Sequence, residues 1–414
     1  MIFLRKRDFL FSNEIIIGDG DFFIRNFKNY LIYGHYNSVV SGISVVYNLV
    51  LSFIFRFTEN INETFLVLNT FSQVSVGLIG LFIIKKRFSN KAYAISFFMI
   101  YFLLFFINND EFTDSRNDMF LSLIFSVIFL VLFRIINKKS LKRERFLIVG
   151  LLFALALGTR SFSVLFIAPY FIFVIYLFYH YKLKDVLFSQ VLFLFSFIFF
   201  TITIHYPSIK ENNKLSFFDK NKDQNINWIH LNTIATKKMF ETNKIQLIRK
   251  DIYWEMVNKK NYENYLKTHN ISESDLPNNI FEYIKYDYVN YLKLFFLNII
   301  NTLIYLVRHF GLLFIFPFIY LIKELKLNGV RNLLKNQNNL FFLMFLAFYF
   351  PLMIIMNAVI EFRWFNSFVL LFYISIIISF DYFYRKKPKL SKRLFFSSLL
   401  LLLILNCRTV LSLL

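Results

Sequence analysis

The sequence predicts an all-α fold: a polytopic membrane helical bundle of about ten spans, with interfacial helices and one larger loop on the outer side. Three observations predict it. Hydrophobic residues make up 57% of the 414 residues, 59 residues are phenylalanine, and the mean hydropathy is +0.52. Apolar runs near the roughly 20 residues that cross a bilayer recur along the chain. Lysine and arginine gather between alternate runs, which is typical of membrane proteins with basic cytoplasmic loops.

The predicted spans account for most of the chain. They lie near residues 64–84, 93–107, 119–136, 146–159, 162–181, 186–205, 295–322, 340–358, 364–382 and 394–413. The run 146–159 is short, and Arg308 and His309 interrupt the long run 295–322. The chain then divides into a first outer loop (1–63), a first bundle part (64–205), an outer hydrophilic loop (206–294) and a second bundle part (295–414).

Basic residues give the bundle its orientation. They follow or precede spans at Lys85-Lys86-Arg87, at Lys138, Lys139, Lys142, Arg143 and Arg145, at Lys182 and Lys184, at Lys323, Lys326, Arg331 and Lys335, and at Arg385, Lys386, Lys387, Lys389, Lys392 and Arg393. All these loops fall on one side, which the positive-inside rule makes cytoplasmic. The outer side then receives residues 1–63 and the segments 108–118, 159–161, 206–294 and 359–363.

The stretch 39–57 is predicted to lie on the outer membrane surface. Its Ser41, Ser44, Asn48 and Ser52 recur every three or four residues and would form one polar helix face. A spanning helix here would instead move Asp19 and Asp21 to the cytoplasm. Residues 1–17 are a poor cleavable signal, since the apolar stretch after Arg5-Lys6-Arg7 is short and contains polar residues.

Composition excludes several other functions. A net charge of +21 would suit nucleic-acid binding, but in a membrane protein such charge anchors cytoplasmic loops, so we expect no nucleic-acid partner. Cys407 is the single cysteine, which excludes an intramolecular disulfide and a cysteine metal site. The histidines at positions 35, 205, 230 and 309 are too scattered in sequence to indicate a metal site.

Three short polar clusters stand out on the predicted outer side: Gly18-Asp19-Gly20-Asp21, Thr113-Asp114-Ser115-Arg116 and Glu361-Phe362-Arg363. An acidic pair on a turn can act as a general base or bind a divalent cation. Arginine at a membrane face can bind a phosphate through two N–H groups. Each cluster also has a plain structural reading: a solvated turn, a helix cap satisfied by Thr113 or Asp114, and a local ion pair.

Two further cations could meet the same anion. Arg160 lies in a very short outer turn, Gly158-Thr159-Arg160-Ser161, and Arg308 lies inside a long apolar run. A cation near hydrocarbon is costly unless it meets an anion or reaches the interface. Arg160 is therefore either a phosphate ligand or a side chain that reaches the membrane surface.

The order of these clusters resembles the GT-C glycosyltransferases, in particular the branch with protein O-mannosyltransferases and lipid A aminoarabinose transferases. Members have an acidic motif in the first outer loop, then aromatic residues and a glycine, as in Gly18-Asp19-Gly20-Asp21-Phe22-Phe23 and Gly34 here. A Thr-Asp motif (Thr113-Asp114) and a Glu-x-Arg-Tyr motif (Glu361-Phe362-Arg363-Trp364) follow. The chain departs from the family in Trp364, in Arg160 where the family has lysine, and in lacking an evident span before the first acidic loop.

The resemblance implies an inverting glycosyltransferase in the inner or plasma membrane that uses a polyprenyl-phosphate-linked sugar on the non-cytoplasmic face. Asp19 or Asp21 would be the general base, Asp114 would orient substrate, and Arg160, Arg308, Glu361 and Arg363 would form the phosphate site. A divalent cation, held by Asp19 and Asp114, is left open as a cofactor. The acceptor would be a glycan, a lipid or a protein.

Three alternatives remain. An O-antigen-type polymerase would share the topology and the large outer loop. A flippase or transporter of lipid-linked sugars would need polar residues deeper in the spans, where the sequence shows few, such as Arg134 and Asn357 near span ends. A structural or assembly protein is the third. We expect the enzyme because carboxylates and guanidinium groups gather on one predicted face.

Overall fold

The computed structural model describes residues 19–38, 45–87, 116–137, 141–213, 215, 227–241, 259–356, 358–360 and 362–411. All its regular elements are helices. They are α1 (Asp19–Ser38), α2 (Val45–Thr58), α3 (Ile61–Arg87), α4 (Asp118–Asn137), α5 (Glu144–Thr159), α6 (Ile167–His180), α7 (Leu183–Asn212), α8 (Trp228–Glu241), α9 (Lys259–His269), α10 (Ile280–Tyr286), α11 (Tyr288–Phe310), α12 (Phe316–Lys335), α13 (Gln337–Ile355), α14 (Asn366–Lys386) and α15 (Pro388–Leu411). Short 3₁₀ helices cover Ser161–Phe166, Glu273–Asp275, Gly311–Ile315 and Phe362–Phe365.

Seven helical stretches in these ranges are long and apolar enough to cross a membrane. They coincide with the predicted spans at 64–84, 119–136, 162–181, 186–205, 295–322, 340–358 and 364–382. The predicted span at 146–159 is α5, which has only 16 residues. The described part of the predicted span at 394–413 lies in α15, which is not among the seven. The predicted span at 93–107 lies outside the described residues. The chain is therefore a helical membrane protein.

Helix α14 forms the centre of the bundle. It is apolar on every side between Ser367 and Phe380, as expected of a helix enclosed by others, and it packs against α3, α4, α12, α13 and α15. Phenylalanine rings fill the contacts: Phe368 stacks on Phe348 at 3.6 Å between ring centres and lies 4.7 Å from Phe125. The abundance of phenylalanine thus serves the interior.

The helix ends define two ends of the bundle. At one end, which we call the basic end, Gln337 bonds to Asn137 at 3.4 Å, His180 bonds to the Lys335 carbonyl at 2.9 Å, and Arg143 pairs with Asp185 at 2.8 Å. These residues lie beside the predicted cytoplasmic loops. Helix α4 finishes there, so its start lies at the opposite end. Helix α13 begins there, so it finishes at the opposite end, where α14 starts.

Helix α2 lies across the start of α3. Tyr47 and Thr58 are about 16 Å apart along a helix, yet the Tyr47 ring contacts Phe65 at 6.0 Å between centres and the Thr58 hydroxyl bonds to Thr64 at 2.7 Å. Two positions that far apart can touch adjacent residues of α3 only if α2 crosses its end. This arrangement favours the predicted surface helix over a span.

The prediction that Asn48 lies on an exposed polar face of this helix is wrong, because Asn48 is 2% exposed and is buried in the protein. The exposed side instead carries Leu49, Phe53 and Phe57, which are 53%, 61% and 76% exposed. These residues recur every four positions and form one apolar stripe. A surface helix in contact with lipid gains from exposing such a stripe, so Asn48 is left to the protein side.

Two predicted boundaries of the outer loop also shift. Helix α7 continues through Pro207 to Asn212, and α11 already begins at Tyr288. A proline within a helix is tolerated in membrane proteins where nearby groups satisfy the freed carbonyl. The predicted loop 206–294 therefore reduces to the segment 213–287, which contains α8, α9 and α10.

Replacing Gly150 with alanine is expected to destabilise the contact between α5 and α7. A Cβ atom there would overlap the Phe193 carbonyl oxygen and lie 2.9 Å from the Phe197 nitrogen. Overpacking costs about 2 kcal/mol, which exceeds the gain of about 1 kcal/mol that alanine has over glycine within a helix. The thermal unfolding midpoint in detergent should fall in Gly150→Ala. It should stay nearly unchanged in Ile148→Ala, and equal midpoints would contradict the close approach.

Candidate functional site

An ion pair joins the start of α4 to the end of α5 at the end of the bundle opposite the basic end. The Arg160 guanidinium donates from Nη1 to Oδ1 of Asp118. The Asp118 side chain is 3% exposed and that of Arg160 is 26% exposed. A carboxylate so far from water is costly unless a cation and hydrogen bonds compensate for it. Arg160 is therefore the cation that compensates for the buried Asp118 carboxylate at this end of the bundle.

The backbone fixes Arg160 in place. Its φ of −157° and ψ of 129° are extended, which ends α5 and turns the chain into the 3₁₀ helix Ser161–Phe166. Its N–H donates to the Ala156 carbonyl at 2.9 Å, and its carbonyl accepts from the Ser163 N–H at 3.1 Å. Its guanidinium carbon lies 5.1 Å from the centre of the Phe162 ring. The very short turn predicted for Gly158-Thr159-Arg160-Ser161 is present.

Neighbouring polar groups tie three helices together at this point. Asn117 donates through Nδ2 to the Thr159 carbonyl at 2.8 Å, and the Tyr47 hydroxyl donates to the Arg116 carbonyl at 3.1 Å. These bonds join α2, α4 and α5 around the Asp118–Arg160 pair. We call the group formed by Tyr47, Arg116, Asn117, Asp118 and Arg160 the polar cluster.

The polar cluster retains unused bonding capacity. Oδ2 of Asp118 is buried and, in the part of the chain that the structure describes, has no hydrogen-bond partner. A carboxylate oxygen accepts from hydroxyl or ammonium groups, and a guanidinium has five N–H donors, of which Asp118 uses only some. The cluster can therefore accept a hydrogen bond from a hydroxyl and donate hydrogen bonds to an anion within a few ångströms.

Asp19 and Asp21 lie in the first turn of α1, close to this cluster. One turn further on, the Phe23 ring meets the Tyr47 ring edge to face at 6.2 Å between centres. The Phe27 ring lies 5.8 Å from that of Phe65 at the start of α3. The side chains of Asp19 and Asp21 are outside the described residues, but the backbone places both positions at the same end of the bundle as Asp118.

Asp114 lies outside the described residues, yet the start of α4 corrects one interpretation of it. The helix begins at Asp118, so neither Thr113 nor Asp114 can cap it. Asn117 precedes the first helical residue, and its carbonyl accepts from the Leu121 N–H at 3.0 Å. The sequence pointed to Asp114 as the carboxylate of this segment. Among the described residues of the segment, the carboxylate in the polar cluster is Asp118.

The segment just before the third predicted motif is held by Asn298, a residue that the sequence analysis did not single out. Glu361 and the side chain of Arg363 are outside the described residues, but the segment just before them is fixed. Asn298, which is 0% exposed, donates through Nδ2 to the Ala358 carbonyl at 3.0 Å. Its Oδ1 accepts from the Ile360 N–H at 2.9 Å. The side-chain amide of Asn298 on α11 thus bonds to two backbone groups of the segment 358–360.

Arg308 has a different environment. It lies on an exposed part of α11, two residues before Phe310, whose ring contacts Phe372 at 5.2 Å between centres. Phe372 is about 9 Å along α14 from its first residue, so Arg308 lies inside the predicted span rather than at its end. The predicted grouping of Arg160 and Arg308 at one phosphate stays a prediction.

A buried polar stripe on α11 was also missed. Asn298, Asn301, Thr302 and His309 are between 0% and 6% exposed, and their spacing puts them on one helix face. The Thr302 hydroxyl donates to the Asn298 carbonyl at 2.8 Å, and His309 bonds through Nδ1 to the Tyr305 carbonyl at 2.7 Å. The spacing alone could have revealed this stripe, since buried polar residues inside spans usually have a function.

Within the described ranges, no group of three or more histidine, cysteine, aspartate or glutamate residues lies together as a metal site would require. Comparison of the chain with protein-family models, with curated proteins and with solved structures finds no match.

Proposed function

We propose that the protein is a membrane glycosyltransferase that moves a sugar from a polyprenyl-phosphate-linked donor to an acceptor at the polar cluster. The observation that carries the proposal is the buried Asp118–Arg160 pair, with its unused carboxylate oxygen and partly exposed guanidinium. Helix α1, which carries Asp19 and Asp21 in its first turn, begins at the same end of the bundle as this pair. The segment before Glu361, which Asn298 holds, lies at that end too. Acid, base and anion-binding groups would then meet where a lipid-linked substrate can reach them.

The proposed reaction assigns each group a task. The acceptor hydroxyl oxygen attacks the anomeric carbon of the sugar, the bond from that carbon to the phosphate oxygen breaks, and polyprenyl phosphate leaves as an anion. Asp19 or Asp21 takes the hydroxyl proton. Arg160 and Arg363 stabilise the charge that develops on the phosphate, and Glu361 orients Arg363. Asp118 or Asp114 accepts a hydrogen bond from a sugar hydroxyl. The transfer can be written without a divalent cation.

The exposed helix surfaces suit a long isoprenoid chain. On α3, Val67, Phe71, Val74 and Leu78 are 45–62% exposed and recur at helical spacing on one face. Near the start of α3, the Phe65 ring lies 6.0 Å from the ring of Tyr47, which belongs to the polar cluster. A lipid tail lying along this face would bring its phosphate to the end of the bundle at which Arg160 lies.

Transfer of radiolabelled sugar from a panel of polyprenyl-phosphate donors, measured in membranes, tests the proposal. We expect Arg160→Ala and Asp118→Asn to lower the rate by roughly 100-fold, as the loss of one charge-stabilising group does in other enzymes. Asp19→Asn should lose a similar factor because a general base is removed. Arg143→Ala is the matched control, since Arg143 forms the same kind of pair with Asp185 at the basic end. Equal rates in Arg160→Ala and Arg143→Ala would refute the assignment.

A second function is favoured by the polar stripe on α11. A flippase or transporter of lipid-linked sugars needs polar groups within its spans, and Asn298, Asn301, Thr302 and His309 provide them. Oδ1 of Asn301 is buried without a hydrogen-bond partner among the described residues. Movement of a fluorescent lipid-linked sugar across vesicles separates the two functions. Transport should survive Asp19→Asn and fail in Asn301→Leu, whereas transfer should show the reverse. An O-antigen-type polymerase would instead lengthen an existing glycan in the radiolabelled transfer assay.

A further inference from the structure

Two lysines share one tyrosine ring at the basic end. Nζ of Lys323 on α12 lies 4.9 Å from the centre of the Tyr382 ring on α14, and Nζ of Lys386 lies 4.7 Å from it. The Tyr320 ring meets Tyr382 at 4.9 Å and holds it against α12. A tyrosine face attracts a cation, but one ring cannot offset two like charges that it brings close together.

The neighbouring carboxylates are already in use. Glu324 is 8% exposed and accepts hydrogen bonds from Asn328 and Asn336, both at 3.0 Å. Asp381 pairs with Arg385 at 2.7 Å. Within the described part of the chain, neither Lys323 nor Lys386 forms an ion pair with a carboxylate. The two ammonium groups together are therefore suited to an anion from outside the protein.

The apolar surface beside the lysines identifies the kind of anion. Ile315, directly before α12, and Ile319 and Ile322 on α12 are 46%, 43% and 53% exposed and form one stripe that leads to Lys323. Such a stripe in a membrane-spanning segment faces acyl chains. An anionic phospholipid could lay its chains along these isoleucines while its phosphate reaches Lys323 and Lys386. Inorganic phosphate would use only the lysines.

We propose that Lys323 and Lys386, held by Tyr382 at the junction of α12 and α14, bind the phosphate of an anionic phospholipid in the leaflet at the basic end. Basic side chains between membrane helices on the cytoplasmic side are suited to such headgroups. This site is at the opposite end of the bundle from the polar cluster and does not depend on the glycosyltransferase proposal.

Titration of the purified full-length protein with fluorescent phosphatidylglycerol in neutral detergent tests the site. The double variant Lys323→Gln/Lys386→Gln should bind roughly 30-fold more weakly, which corresponds to two lysines near an anionic surface. The matched control, Lys326→Gln/Lys389→Gln, removes the same charge from exposed positions beside the site. It should bind within about twofold of the wild type, since surface charges are screened. Equal weakening in both variants would overturn the proposal in favour of general attraction to basic loops.

Further arms separate the sources of the anion and guard against misfolding. Phosphatidylcholine should bind much more weakly than phosphatidylglycerol, and inorganic phosphate should not displace the lipid at equal concentration; displacement would refute the lipid assignment. Tyr382→Phe keeps the ring but removes the hydroxyl with which Lys323 and Lys386 form hydrogen bonds, so it should weaken binding by less than Tyr382→Leu, which should lose binding as the double variant does. If the double variant does not fold, Lys386→Gln alone, at the exposed end of α14, should still weaken binding, and unchanged binding would overturn the proposal.

Discussion

Asn298→Ala is expected to lower the free energy of unfolding by about 3 kcal/mol. Alanine would leave the Ala358 carbonyl and the Ile360 N–H without their bonds to the Asn298 amide. Both residues are nearly or fully buried, so water cannot replace those bonds, and each unsatisfied group carries a desolvation cost. The change should appear as a lower unfolding midpoint in detergent.

Two further variants make that measurement specific. Asn298→Asp keeps an acceptor for the Ile360 N–H but offers no donor to the Ala358 carbonyl, and it adds a charge at a buried position, so it should be at least as destabilising as alanine. Asn264→Ala, at an exposed position on α9, should change stability by less than about 0.5 kcal/mol. If the unfolding midpoint of Asn298→Ala equals that of Asn264→Ala, the Asn298 amide does not hold the segment 358–360.

Asp118→Ala is expected to cost about 3 kcal/mol of stability, the lower end of the range for breaking a buried ion pair. The Arg160 side chain is 26% exposed, so water reaches part of the cation left behind and the cost stays below that of a fully enclosed pair. Adding Arg160→Gln should recover some of the loss, since the unpaired charge is then gone. Unfolding midpoints of both single variants and the double variant give the coupling between the two groups.

The Arg143–Asp185 pair provides the comparison. It joins the same residue types at the basic end, but its side chains are 50% and 38% exposed. Exposed pairs contribute about 0–1 kcal/mol because water and salt screen them. Asp185→Ala should therefore cost far less than Asp118→Ala, and its effect should shrink further in high salt. Equal costs at the two ends would show that burial does not distinguish the pairs.

Hydropathy predicted the spans well because each span is a local property of the chain. The runs at 119–136 and 364–382 became α4 and α14 with boundaries moved by only a few residues. Helix α2 was predicted to lie on the outer membrane surface, and its crossing over the start of α3 favours that prediction. Its polar face was mispredicted, because the pattern of Asn48 and the serines cannot show whether a polar residue faces water or a neighbouring helix.

The site was less predictable because its contacts join distant parts of the chain. Arg160 was identified from its place between two apolar runs, but Asp118 was overlooked among the acidic residues around Asp114. Only the fold brings these two residues together. Asn298 illustrates the same limit, since its partners at 358 and 360 lie on another element and are backbone atoms that carry no sequence signal. The sequence placed Arg308 inside a long apolar run, but the helices around it depend on how α11 packs.

Helix α5 is fastened at both ends, by Arg160 to Asp118 at one and by Arg143 to Asp185 at the other. Its 16 residues span about 24 Å, which is less than the roughly 30 Å hydrocarbon thickness of a typical bilayer. Because charged residues stand at both of its ends, the lipid around α5 would have to match this short length. The membrane beside α5 should therefore be thinned, and short-chain lipids should stabilise the protein more than long-chain ones.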